Sequence, residues 1–117
     1  MKLIDRPIYT EKIIPFVNKQ IIKVLTGQRR IGKSYVLLQL MDYLRSTDPD
    51  ANIVYINMEL DEFVTIKTHA DLSAFLKDKF PSNKNNYFFI DEVQEVAAFE
   101  RSLRSLLAKN VCDIYCT

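Results

Sequence analysis

Hydrophobic positions along the chain follow two alternating periods. Ile21–Thr26 (IIKVLT), Ile53–Asn57 (IVYIN), Tyr87–Asp91 (YFFID) and Cys112–Thr117 (CDIYCT) are short runs rich in β-branched and aromatic residues, and read as strands. Between them the spacing turns helical. Lys33–Arg45 carries Leu37, Leu40, Met41 and Leu44 on one stripe with further apolar residues beside it, the mark of a largely buried helix. Thr68 and Asp71 resemble a capping box with Asp in place of Glu. They open a helix with Leu72, Phe75, Leu76 and Phe80 on one side, stopped by Pro81. Phe99, Leu103, Leu106 and Leu107 follow the i, i+4, i+7, i+8 spacing of a third amphipathic helix. Strand and helix alternate throughout, which predicts an α/β domain with a parallel sheet covered by helices.

The segments between are polar. Ser46–Asp50 and Ser82–Asn86 read as turns, and the acidic stretch 58–67 as a loop near the C-terminal end of the second strand. In residues 1–20, Ile13, Phe16 and Val17 suggest a short packed helix with Pro15 inside it.

Composition narrows the class. A chain of 117 residues makes one domain at most, and 48% hydrophobic content is enough for a core. The formal net charge of +1 gives no whole-molecule field, so nucleic acid is allowed but not indicated. No apolar run approaches the roughly 20 residues of a membrane span, and the N-terminus lacks a signal peptide's apolar core, so the expectation is a cytoplasmic protein with no membrane partner. Cys112 and Cys116 would lie on one strand face about 13 Å apart at ~3.3 Å per residue, too far for a disulfide. His69 is remote from them and no second cysteine pair exists, so a zinc site is not expected. The cysteines read as core thiols and His69 as a surface or capping residue.

The chemistry sits in two places. Gly27-Gln28-Arg29-Arg30-Ile31-Gly32-Lys33-Ser34 matches G-x-x-x-x-G-K-[ST] at every position, after an apolar strand and before an apolar helix. Such a phosphate-binding P-loop (Walker A) needs glycine where backbone N–H groups curl around a phosphate. The only two glycines of the chain, Gly27 and Gly32, occupy the two motif positions. Lys33 is expected to bridge β- and γ-phosphate oxygens, Ser34 to ligate Mg²⁺, and the helix N-terminus to favour the anion. Residues 27–35, Tyr35 included, are the candidate nucleotide contacts.

The second place is Tyr-Phe-Phe-Ile-Asp91-Glu92, an apolar strand ending in two carboxylates (Walker B). Asp91 is the candidate Mg²⁺ residue and Glu92 the candidate general base for an attacking water. Alone, this pattern equally describes two solvated turn carboxylates; following a full P-loop, with a strand and helix between, it reads as the catalytic strand. The Asp-Glu pair and the absence of an Asn-Lys-x-Asp motif favour ATP over GTP.

The runs VLTGQRRIGKS, IVYINMEL, YFFIDEVQEV, FERSLRSLL and DIYCT together resemble the bacterial and archaeal AAA-type P-loop ATPases of the additional-strand catalytic-glutamate class. The resemblance covers residues 6–117, and the nearest group usually carries a C-terminal domain of unknown function. It implies a three-layer α/β/α fold with strand order (5)-1-4-3-2. It also implies that Asn57, at the end of the second strand, can hold Glu92 inactive; a plain strand-end Asn is the alternative. A Thr-Gly-Ser sensor motif would begin at Thr117. The chain then reads as the N-terminal part of a P-loop ATPase domain, residues 1–117, without its fifth strand, so that the first strand is a bare edge needing a missing domain or partner protein. Arg29 and Arg30 are expected on the loop's outer face. Arg101 and Arg104 share a helix face that could serve an oligomer as a trans-acting finger or simply be solvated, and Arg6 could approach the adenine.

The leading function is therefore an ATP- and Mg²⁺-dependent ATPase driving a conformational change in attached domains, with hydrolysis by this stretch alone in question. A nucleotide-gated switch with little turnover is the alternative, followed by a DNA-handling motor. A small-molecule kinase would need an acceptor pocket and lid for which the sequence carries no signal.

Overall fold

Four strands pair in parallel in the order β1-β4-β3-β2, with β1 at Ile22–Val24, β2 at Asn52–Asn57, β3 at Asn86–Asp91 and β4 at Asp113–Cys116. Helices α1 (Arg30–Thr47), α2 (His69–Leu76) and α3 (Phe99–Lys109) connect consecutive strands, and a helical crossover is what makes neighbours parallel. The computed structural model describes residues 13–25 and 30–117, with the backbone alone described over 30–34. The expected order 1-4-3-2 is the observed one, with β4 between β1 and β3.

Strand parity sorts the core into two layers. Tyr87 and Phe89 of β3 and Tyr115 of β4 face Leu37, Leu40, Met41 and Leu44 of α1. Phe88 and Ile90 of β3, with Ile114 and Cys116 of β4, face Leu72 and Leu76 of α2 and Leu103 of α3. Burying each such Leu contributes about 2 kcal/mol of transfer free energy. Because β3 and β4 are covered on both faces, every residue in them is buried, which is why YFF and DIYC do not alternate with polar residues. Phe89 and Tyr115 are register partners whose rings stack 4.5 Å apart at 7°.

On the α1 layer, Lys23 of β1 and Asp113 of β4 form a buried ion pair. Lys23 Nζ also donates to Lys19 O at 2.7 Å, and Asp113 Oδ2 accepts from Tyr115 Oη at 2.6 Å and from Asn18 N at 2.8 Å. These partners satisfy both charges at the end of the sheet where β4 begins. Burial, and then the bond to Asp113, push the Tyr115 hydroxyl up.

Several boundaries differ from the sequence expectation. Helix α1 begins at Arg30 instead of Lys33; Arg, Ile and Lys tolerate helix well, and one interior glycine costs only ~1 kcal/mol. Helix α2 ends at Leu76, short of Pro81: Lys77 is extended and Asp78 left-handed at φ 64°. The residue before a proline is pushed out of the helical region, and the early exit lets Phe80 pack edge-on against Phe88 at 6.1 Å. The stretch 58–67 contains a 3₁₀ turn at Asp61–Phe63. Near the N-terminus a 3₁₀ turn at Ile14–Phe16 replaces the expected helix; Ile13 and Val17 pack toward α1, but Phe16 is 48% exposed. β1 is only three residues long and is an edge of the described sheet, with Val24 61% exposed.

Thr68 caps α2 in a full capping box with Asp71, whose carboxylate is held below its ordinary range by the Lys67 and Thr68 N–H groups. An isolated parallel bridge ties this entry to the segment before α3: Ala97 N donates to Lys67 O at 2.8 Å and His69 N to Ala97 O at 2.9 Å. Ser102 Oγ of α3 donates to His69 O at 2.7 Å; His69 is the half-buried first residue of α2, and the cap is Thr68. Cys116 is buried and Cys112 half-buried, both as free thiols in the layer facing α2 and α3. Burial pushes them up to about 11 and about 12 respectively, Asp113 adding to the rise at Cys112.

Candidate functional site

All four strands are parallel, so their C-terminal ends open on one end of the sheet. Asp91 closes β3 there, and its parity matches that of Phe89 and Tyr87, which puts it on the α1 side. Its register partner on β2 is Asn57. On the other side Ile90 pairs with Cys116, so Thr117 arrives next to Asp91. Helix α1 opens only six positions after β1 closes, so its N-terminus, whose first N–H groups have no partner within the helix and which carries partial positive charge, is at this same end.

Thr117 binds the turn after β3 through both main chain and side chain. Its N–H donates to Ile90 O at 3.1 Å and its carbonyl accepts from Val93 N at 3.0 Å. Its hydroxyl donates to Asp91 Oδ1 and accepts from Glu92 N at 3.3 Å. Asp91 is 2% exposed and Glu92 6% exposed. Two neighbouring carboxylates withdrawn from water are costly unless polar groups surround them. Here hydroxyl and amide donors do so, since Gln94 Nε2 donates to Glu92 Oε2.

Glu92 has φ 60° and ψ 48°. A left-handed backbone at a non-glycine residue costs about 1–3 kcal/mol and persists where the surroundings over-determine it. The bonds of Glu92 N and Val93 N to Thr117, and of Glu95 N to Glu92 O at 3.1 Å, provide that constraint. The twist ends the strand and starts a 3₁₀ turn, Val93–Glu95, that carries Gln94.

Asn57 lies across the strand pair from Asp91, and its Oδ1 accepts from Glu59 N at 3.0 Å, closing the turn after β2. Tyr55, two residues earlier on the same face, is half-buried; burial, then Asp91 and then Glu59 push its hydroxyl up to about 12. The sequence read Tyr55 only as a strand residue; alternation with Asn57 is the signal that places it near the carboxylates. Gln94 is legible only as part of the Asp-Glu-x-Gln run.

Gly27, Gln28 and Arg29, and Arg6 near the N-terminus, lie outside the described residues. Arg30, Ile31, Gly32, Lys33 and Ser34 form the first turns of α1, with their side chains outside the described set. Tyr35 is buried. Arg101 and Arg104 are exposed on α3, away from the buried Leu103. Among the described residues no three His, Cys, Asp or Glu side chains converge on a metal position, and no helix is long and apolar enough to cross a membrane.

The sequence profile of a family described as "AAA domain" matches residues 19–117. An uncharacterized protein of Haemophilus influenzae is 35% identical over 117 residues, covering 98% of this chain and 29% of its own length. An uncharacterized protein of Methanocaldococcus jannaschii is 34% identical over 105 residues, covering 90% of this chain and 22% of its own length. The chain thus spans less than a third of either relative. No solved structure gives a significant match.

Proposed function

The chain belongs to the AAA domain family, and from that premise we propose that it binds ATP with Mg²⁺ and that the full-length protein hydrolyses it to drive a conformational change in attached domains or partners. The observation that carries this reading is the buried pair Asp91 and Glu92, bound by Thr117 and Gln94 at the end of the sheet where α1 begins. Oxygen donors at a helix N-terminus suit a hard divalent cation and a polyphosphate. A cation bound through only one or two carboxylates, the rest being water and phosphate oxygens, needs no cluster of three protein ligands.

In this reading the backbone of residues 27–34 cradles the phosphates and Lys33 bridges the β- and γ-oxygens. The Ser34 hydroxyl and Asp91 would hold Mg²⁺, which when bound neutralises charge on those oxygens. Thr117 fixes the rotamer of Asp91 through its hydroxyl. Glu92 accepts a proton from water as the water oxygen bonds to the γ-phosphorus; the bond from phosphorus to the β–γ bridging oxygen breaks, and ADP leaves with that electron pair.

The test compares full-length wild type with Glu92→Gln and Lys33→Ala. Glu92→Gln should keep nucleotide affinity and lose hydrolysis, while Lys33→Ala should lose affinity. If wild type turns over no faster than Glu92→Gln, the protein is a nucleotide-gated switch and not an ATPase.

A further inference from the structure

Gln94 and Glu92 are joined side chain to side chain by the Gln94 amide donating to Glu92 Oε2, and we propose that Gln94 is the residue that positions Glu92 for its reaction. The inference rests on the ATPase reading above. An ionised carboxylate has two oxygens with about four acceptor sites. A donor on Oε2 fixes the carboxylate plane. The amide suits this task because it donates without having a proton to give up, so it orients the base and does not compete with it.

The backbone makes the pairing specific. Glu92 in the left-handed region turns its side chain out of the strand alternation, and the 3₁₀ turn brings Gln94 back over it. The segment carrying both residues is held at Glu92, whose N–H donates to Thr117 Oγ1 at 3.3 Å, and at two further points. Val93 N is bound to Thr117 O at 3.0 Å and Ala97 N to Lys67 O at 2.8 Å. Such anchors fix the backbone from which the Gln94 side chain reaches Glu92. Gln94 is itself exposed, so its side chain fills no core space and truncating it opens no cavity. Asn57, the residue that the family resemblance suggested for holding Glu92, has its Oδ1 engaged by Glu59 N at 3.0 Å.

The experiment compares Gln94→Ala and Gln94→Glu in the full-length protein, measuring kcat, KM and thermal unfolding. A second measurement follows the Gln94 side-chain amide resonance by NMR in wild type and in Glu92→Ala. A charge-assisted hydrogen bond predicts a loss of about tenfold to hundredfold in kcat for Gln94→Ala, with KM and the melting temperature essentially unchanged. Gln94→Glu keeps the size but replaces the donor with an acceptor, and is expected to lose at least as much. The amide resonance should move in Glu92→Ala. A Gln94→Glu protein as active as wild type, or kcat in both variants within about twofold of wild type or above it, overturns the proposal. So does an amide resonance indifferent to Glu92, whatever the activity. If the resonance moves but wild type hydrolyses no faster than Glu92→Gln, the ATPase reading has failed, and with it any catalytic use of the bond.

Discussion

Thr117 Oγ1 donates to Asp91 Oδ1 and accepts from the main-chain N–H of Glu92, so one hydroxyl addresses both members of the carboxylate pair. Thr117→Val removes both bonds in a buried setting while keeping the shape. It is expected to destabilise the domain by about 1–3 kcal/mol, the cost of leaving buried polar groups unsatisfied. On the proposed nucleotide reading it should also weaken ATP binding, since Asp91 loses its fixed rotamer. Thr117→Ser should restore most of both effects. Denaturant unfolding and a nucleotide titration measure the two, and a Val variant equal to wild type in both would show the hydroxyl to be dispensable.

The Lys23–Asp113 pair gives a prediction independent of nucleotide. Removing one partner, as in Lys23→Ala or Asp113→Ala, leaves a buried charge uncompensated and is expected to cost about 3–5 kcal/mol. The double replacement Lys23→Met with Asp113→Leu should be much milder than the sum, because it removes the desolvated charges together. Coupling near zero in a double-mutant cycle would mean that the two charges are not paired.

Alkali should loosen the fold through three acids, one buried and two half-buried. Cys116, Cys112 and Tyr55 are all raised, to about 11, about 12 and about 12, from ordinary values of 9.0, 9.0 and 10.0. The folded state binds these protons more tightly than the unfolded state. Their contribution is therefore complete below pH 9 and is lost as pH rises through the folded values. Cys116→Ala and Tyr55→Phe each remove one such group and should flatten the decline of melting temperature above pH 9 relative to wild type. Unchanged slopes would place these groups in water.

Thr68→Ala removes the side-chain acceptor that caps α2 and should cost about 1 kcal/mol. Asp71 is the other half of the box and its carboxyl is lowered. The stability it contributes is present above the ordinary carboxylate value of 3.8 and is lost as pH falls through the lower folded value. In Asp71→Asn that acid-side loss should disappear from unfolding curves taken at low pH.

How much of this was legible depended on how local the cause is. β3 announces itself because a strand covered on both faces needs an unbroken apolar run, which YFFI supplies; β2 is read from the similar run IVYI, although only Ile56 in it is fully buried. Asp91 was legible because a carboxylate can end such a strand but not sit within it. The capping box was legible too, being four residues long. Lys23 was not: inside IIKVLT it reads as one polar position of a strand, and the partner that permits its burial is 90 positions away. The backbone sign at Glu92 was not legible either, since hydrophobic periodicity carries no information about φ and the twist is held by Thr117, the residue just after β4. Helix α2 closes early for a reason spread over Asp78, Phe80 and Phe88, so Pro81 alone marked the wrong boundary.

The bridge between Lys67, His69 and Ala97 has a mechanical consequence. With Glu92 N and Val93 N bound to Thr117 at one end and Ala97 to the entry of α2 at the other, the stretch bearing Glu92 and Gln94 behaves like a string clamped at both ends. Sliding is closed to it. The main-chain path from the carboxylates through Ala97 therefore ends on the start of α2, which hangs from the same clamp.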